Sequence, residues 1–174
     1  MKENEFWGII DRSNDQDDFE KEILEYLCTL STNSIIQFQN EFLSVMSCAH
    51  QFRLLEANFI ISSYVSDDVF YSFRAWLISK GSEKYSKALE DPETIAEWLK
   101  TDEVENIYYS KISQLAETAF LANGENADNF FESIIYPEDP RMVIKWPESK
   151  EEFRRKYPKL VSKYWNQKLI NELH

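Results

Sequence analysis

Asp67, Asp68 and Arg74 are the residues whose types and spacing most invite chemistry in this chain. They share one segment, "SDDVFYSFRAWLISKG", running from Ser66 to Gly81. A carboxylate pair can serve acid–base or magnesium chemistry, and an arginine on the same helix can face a ligand. Each also has a structural explanation. Ser66 is a good N-cap, which puts Asp67 and Asp68 in the first helical turn, where exposed N–H groups and the helix dipole stabilise a carboxylate by about 0.3 to 1 kcal/mol. Neighbouring acids at a helix start also splay apart rather than converge. Arg74 lies one residue past the apolar face, so its guanidinium must reach solvent or find an acid on another helix. Asp67 is roughly 10 Å away along the axis, too far for a clean pair. The expectation is a structural ion pair for Arg74, with a ligand-facing role as the alternative.

Other catalytic constellations are missing from the sequence. His50 is followed only by His174, and Cys48 and His50, two residues apart, point to different faces of a helix rather than to one metal. There is no zinc spacing, phosphate-binding glycine loop or G-x-S-x-G elbow. No catalytic residue, metal ligand or cofactor is expected.

The elements that must position the segment are helical. Three glycines and five prolines in 174 residues disfavour a fold of many tight turns. Apolar residues at 43% and aromatics at 15% supply a real core, and a chain of this length buries about 70% of its unfolded surface in one domain. Within the segment Val69, Phe70, Phe73, Trp76 and Leu77 form a wide apolar face, and Gly81 closes the helix, which should be central. Before it, the same period predicts helices over "EFWGIID", over "FEKEILEYLCTL" with Asp17 and Asp18 at its first turn, over "SIIQFQNEFLSVMS" with Ser34 as N-cap, and over "RLLEANFIIS" after a break near Gln51. After it come "SEKYSKALED", "PETIAEWLK" with proline at the first helical position, one long helix over "DEVENIYYSKISQLAETAFLA" ending at Asn123 and Gly124, and "DNFFESII". Residues 136–149 carry three prolines and no helical period, and read as an extended arm. A basic helix follows, which Pro158 should end or kink. The fold class expected is all-α: a single domain over 1–174 with seven to nine helices and an extended C-terminal arm.

The pattern Ser66-Asp67-Asp68-x-Phe70-x-x-Phe73-Arg74-x-Trp76-Leu77-Ile78-x-x-Gly81, with Phe6-Trp7-x-x-Ile10 before it and "ALEDPETIA" after it, resembles a bacterial family of unknown function numbered 4240. The ending "EEFRRKYPKL" is also similar to that family's. The resemblance is most specific over residues 59–98. It implies a mainly helical bacterial domain and brings no catalytic residues with it.

Charge bounds the partners. The net charge is −12, but residues 1–140 hold 10 basic and 27 acidic side chains, net −17, whereas residues 141–168 hold 9 basic and 3 acidic, net +6. A body this acidic repels phosphates and membranes and attracts basic proteins. The basic arm, 141–174, is expected to pack back on the acidic body, 1–140, through Trp146, Phe153, Tyr157, Leu160 and Trp165. Cys28 and Cys48 sit in apolar-periodic runs and read as reduced small hydrophobes, which with no signal peptide or membrane span points to the cytoplasm. The leading expectation is a non-enzymatic intracellular interaction protein, immunity- or antitoxin-like, that masks a basic protein partner. Two alternatives stand beside it: a carboxylate enzyme with a pocket at the Ser66 helix start, using Asp67, Asp68 and Arg74, and a nucleic-acid binder working through Arg154, Arg155 and Lys156.

Overall fold

The computed structural model describes residues 1–14 and 18–165. Among these residues it is all-helical, with eleven α-helices and no strand. In chain order they are α1 (Glu3–Ser13), α2 (Phe19–Cys28), α3 (Thr32–Cys48), α4 (Phe52–Ser62), α5 (Asp67–Ser79), α6 (Ser82–Glu90), α7 (Ile95–Trp98), α8 (Leu115–Ala122), α9 (Ala127–Ser133), α10 (Lys150–Lys156) and α11 (Pro158–Tyr164). Short 3-10 turns cover Pro92–Thr94, Thr101–Tyr108 and Ile112–Gln114.

The count exceeds the seven to nine expected because α7, α9, α10 and α11 are only four to seven residues long. Helices that short are marginal alone and persist through packing, so sequence period marks them poorly. The long helix expected over residues 102–122 is also broken. Ile107 and Ile112 are both buried yet five apart, a spacing that no single helix puts on one face. The chain turns between them, and the Lys111 N–H is bound by Glu20 Oε1 at 2.5 Å.

The helix starts have local causes. Ser66 accepts from the Val69 N–H at 3.2 Å, the cap expected for α5. For α3 the cap is Ser31, three residues before the serine expected, and it accepts from the Ser34 N–H at 3.2 Å. Asp18 caps α2 through the Lys21 N–H; Asp17 lies outside the described residues. Asp11 of α1 reaches across to the start of α6, binding the Ser82 N–H at 2.7 Å and its hydroxyl at 2.5 Å. Gly81 precedes that contact with φ +90°, and a Cβ there would lie 2.8 Å from Asp11 Oδ1, so the turn from α5 into α6 needs glycine twice over.

α5 is the central helix. Phe73, Leu77 and Ile78 are fully buried and Trp76 is 1% exposed, and α5 packs against α3, α4, α6 and the turns at 101–108 and 112–114. At one end of the molecule α2 packs on α8, and α8 on α9. At the other, α11 packs on α4, α7 and the Pro92 turn. Between α9 and α10 the chain runs extended over residues 134–147. Cys28 and Cys48 are free thiols and both are exposed: each falls one position off the stripe, beside buried Leu27 and Ser47.

Candidate functional site

α5 does not bring Asp67, Asp68 and Arg74 together. Both aspartates are exposed in the first turn beyond the Ser66 cap, and neither comes within ion-pair distance of a described cation. The residue that caps the helix is therefore the one that turns the two carboxylates to solvent.

Arg74 is buried two turns further on. Its Nη1 donates to the Met46 carbonyl at 2.9 Å and lies 3.9 Å from Asp139 Oδ1, while the guanidinium carbon sits 4.9 Å above the Phe70 ring. Met46 is in the last turn of α3, whose final carbonyls have no partner within the helix. Arg74 thus closes the negative end of α3, and Tyr85 Oη–H assists by donating to the Val45 carbonyl at 2.7 Å. Burial pulls the guanidinium below its usual range, and the nearby Asp139 carboxylate opposes that shift. The acid comes not from a helix but from the extended arm. Asp139 also places Oδ2 3.2 Å from His50 Nδ1, although the ring nitrogen is out of line for a hydrogen bond. Asn40 Oδ1 accepting from the Ile135 N–H and Ser47 Oγ donating to the Glu138 carbonyl pin the same arm to α3. The arm is held by α3 and α5 at its start, and Trp146 packs edge-on against Phe52 and Phe59 of α4 further along.

Four of the basic residues that follow, Arg154, Lys156, Lys159 and Lys163, are engaged. Glu56 of α4 is fully buried and receives Lys156 Nζ at 2.7 and 2.8 Å. Glu93, also buried, accepts from the Lys159 and Leu160 N–H groups at 2.6 and 3.1 Å, capping α11 from another part of the chain. Lys159 Nζ binds Glu97 at 2.7 Å, and Lys163 Nζ donates to the Ala96 carbonyl at 2.6 Å. Arg154 pairs with Glu151 on its own helix. Pro158 splits the expected basic helix into α10 and α11, and this split lets both sets of contacts form.

The acidic end has the opposite character. α2 and residues 115–133 carry seven carboxylates, Glu20, Glu22, Glu25, Glu117, Glu125, Asp128 and Glu132, against the single base Lys21. Glu20 is taken up by the Lys111 N–H, and Lys21 lies 3.8 Å from Glu25. Tyr26, Leu121 and Phe131, at 38%, 41% and 48% exposure, put apolar surface on the same three helices. The acidity of the body is visible in the sequence, but its concentration here is not, because it depends on α2 meeting α8 across some ninety residues of chain.

Among the described residues no cluster of three or more His, Cys, Asp or Glu side chains is placed to hold a metal ion, and no helix is long and apolar enough to cross a membrane. No curated protein and no solved structure matches the chain. A family model does: the chain belongs to the family described as a protein of unknown function, DUF4240, whose model matches residues 1–122. The match takes in all of α5 and stops at the end of α8, so "EEFRRKYPKL" in α10 and α11 lies beyond it.

Proposed function

We propose that this chain is a non-enzymatic interaction protein of the immunity or antitoxin type, masking a basic partner protein with the acidic layer formed by α2, α8 and α9. The supporting observation is the division of charge between the two ends of the molecule. Lys156, Lys159 and Lys163 of α10 and α11 are engaged by Glu56, Glu97 and a backbone carbonyl, whereas Glu22, Glu25, Asp128 and Glu132 of α2 and α9 are exposed, with Lys21 the one base on those two helices. Outward charge of one sign steers a basic protein at long range, and exposed aromatic side chains within it supply the desolvated contact that fixes a complex once formed.

Stopped-flow association with the basic product of a neighbouring gene tests the reading. The rate is expected to fall steeply as salt shortens the screening length below about 8 Å, and to fall further when Glu22, Asp128 and Glu132 are replaced by glutamine. A rate indifferent to salt and to these replacements would remove the electrostatic basis of the proposal.

A further inference from the structure

At the far end of α5 from the two aspartates, a cleft of about 330 Å³ is lined by Trp76, Lys80, Lys84, Trp98, Lys100 and Glu103. Its construction follows from the chain. Lys80 ends α5 one turn after Trp76, the Gly81 turn brings Lys84 of α6 alongside, and α7 delivers Trp98 just ahead of Lys100. The two indoles stack with centroids 5.4 Å apart and planes 27° from parallel. Each carries an ammonium over its face, Lys80 Nζ at 5.4 Å from the Trp76 ring and Lys84 Nζ at 5.2 Å from the Trp98 ring.

Cation–π contact accounts for either lysine alone. It does not account for two further facts. Both indole Nε1–H groups are buried, Trp76 with only 1% of its surface exposed, and neither has an acceptor among the described residues. Buried indole N–H groups normally find a partner, and one left without costs free energy. The cleft also gathers three ammonium groups against the one carboxylate of Glu103, which pairs with Lys100 at 3.4 Å. A local charge of +2 has accumulated in a chain of net charge −12.

We propose that this cleft binds a phosphate dianion, free or as the phosphoryl group of a small organic monoester. Such a group carries a charge of about −1.5 to −2 at neutral pH and three strong acceptor oxygens. It thereby matches the surplus of cations that the cleft gathers. Lysine holds phosphate as a compact point charge with rotatable donors, so three flexible ammonium groups suit it without the fixed fork of arginine. Burial and the neighbouring Lys84 pull the Lys80 ammonium below its usual range, and an anion in the cleft relieves both effects. The site is independent of the acidic layer: it lies on α5, α6, α7 and the start of the 101–108 turn, within the residues matched by the family model.

The test uses the full chain labelled with ¹⁵N, following the five indole N–H resonances during titration with inorganic phosphate or phenyl phosphate, the ionic strength being held constant with sodium chloride. Saturable movement of the Trp76 and Trp98 signals is expected, the latter identified by its loss in Trp98→Phe, with Trp7 and Trp146 unmoved. Lys84 and Lys100 are exposed, so the double variant Lys84→Gln, Lys100→Gln should fold normally and bind about tenfold or more weakly. Equal response to both ligands assigns the site to phosphate itself, and response to phenyl phosphate alone assigns it to the monoester. Chloride moving the signals as far as phosphate does, neither ligand moving them, or a double variant binding as tightly as the parent would each overturn the proposal.

Discussion

Glu56 and Tyr157 meet across 101 residues of sequence: the fully buried carboxylate accepts the tyrosine hydroxyl at 2.6 Å. Lys156 supplies the countercharge from one residue earlier, but its side chain is half exposed and can be rehydrated. Tyr157 cannot be replaced in that way, because it delivers a donor to the dry side of the carboxylate.

Tyr157→Phe should therefore lower stability by about 1.5 to 3 kcal/mol, the range for a hydrogen bond to a charged group. Urea unfolding of the variant measures this. A loss below about 0.5 kcal/mol would mean that water reaches Glu56 once the hydroxyl is gone.

Alkaline pH attacks the same packing. Burial raises the phenols of Tyr85, Tyr157 and Tyr164 above the usual value near 10, that of Tyr164 up to about 12; Tyr157 is raised further by its hydrogen bond to Glu56. In this range the folded state keeps protons that the unfolded chain releases. The stability they contribute is complete below about pH 10 and is lost as pH climbs through the folded values. Unfolding free energy should fall above about pH 10, and ultraviolet titration should find these three of the nine tyrosines ionising only as the fold melts. Ionisation of all nine in an intact fold would contradict this.

Arg74→Met should cost about 1.5 to 3 kcal/mol, because the Met46 carbonyl at the end of α3 loses its charged donor. The loss is not that of a stranded buried acid, since Asp139 is 44% exposed and can return to water. Asp67→Asn and Asp68→Asn should each cost less than about 1 kcal/mol, as exposed first-turn dipole partners. Parallel denaturant melts of the three variants check the ranking. A larger loss at either aspartate than at Arg74 would reverse the account of α5.

Phe73→Ala and Trp76→Ala should each destabilise by about 3 to 5 kcal/mol, since both rings are buried among α3, α4, α6 and the 101–108 turn. Thermal and denaturant melts measure it. Trp76→Phe separates packing from the cation contact, keeping most of the buried ring while removing the indole that Lys80 Nζ covers.

What the sequence made legible was local. Ser66 capping α5, the buried stripe through Phe70, Phe73 and Leu77, and the split at Pro158 each depend on residues within two turns of one another. The α3 cap was misplaced because "STNS" offers four consecutive residues able to cap, and only the fold chooses Ser31. The break after Tyr108 could not be read, because its anchor, Glu20, is 91 residues away. The same distance problem hid the partner of Arg74, an aspartate in an unstructured-looking arm. The lysine cleft was half visible: Trp76, Lys80 and Lys84 recur at four-residue spacing, but Trp98 and Lys100 join them only through the fold. Adjacent acids are conspicuous in a sequence, whereas lysines scattered over three elements are not.

The docking of α10 and α11 covers groups that are synthesised long before them. Synthesis proceeds from the N-terminus, so α4 and the Pro92 turn leave the ribosome well before their partners, and Glu56 and Glu93 wait for donors 100 and 66 residues later. The delay is chiefly kinetic, because loop-closure entropy grows only slowly with length. Until α10 arrives, Phe59 lacks the cover of Phe153, leaving apolar surface of the kind chaperones and proteases engage. A chain halted before Tyr157 therefore leaves the buried Glu56 carboxylate without its tyrosine donor, so α4 finishes folding well after it has been made.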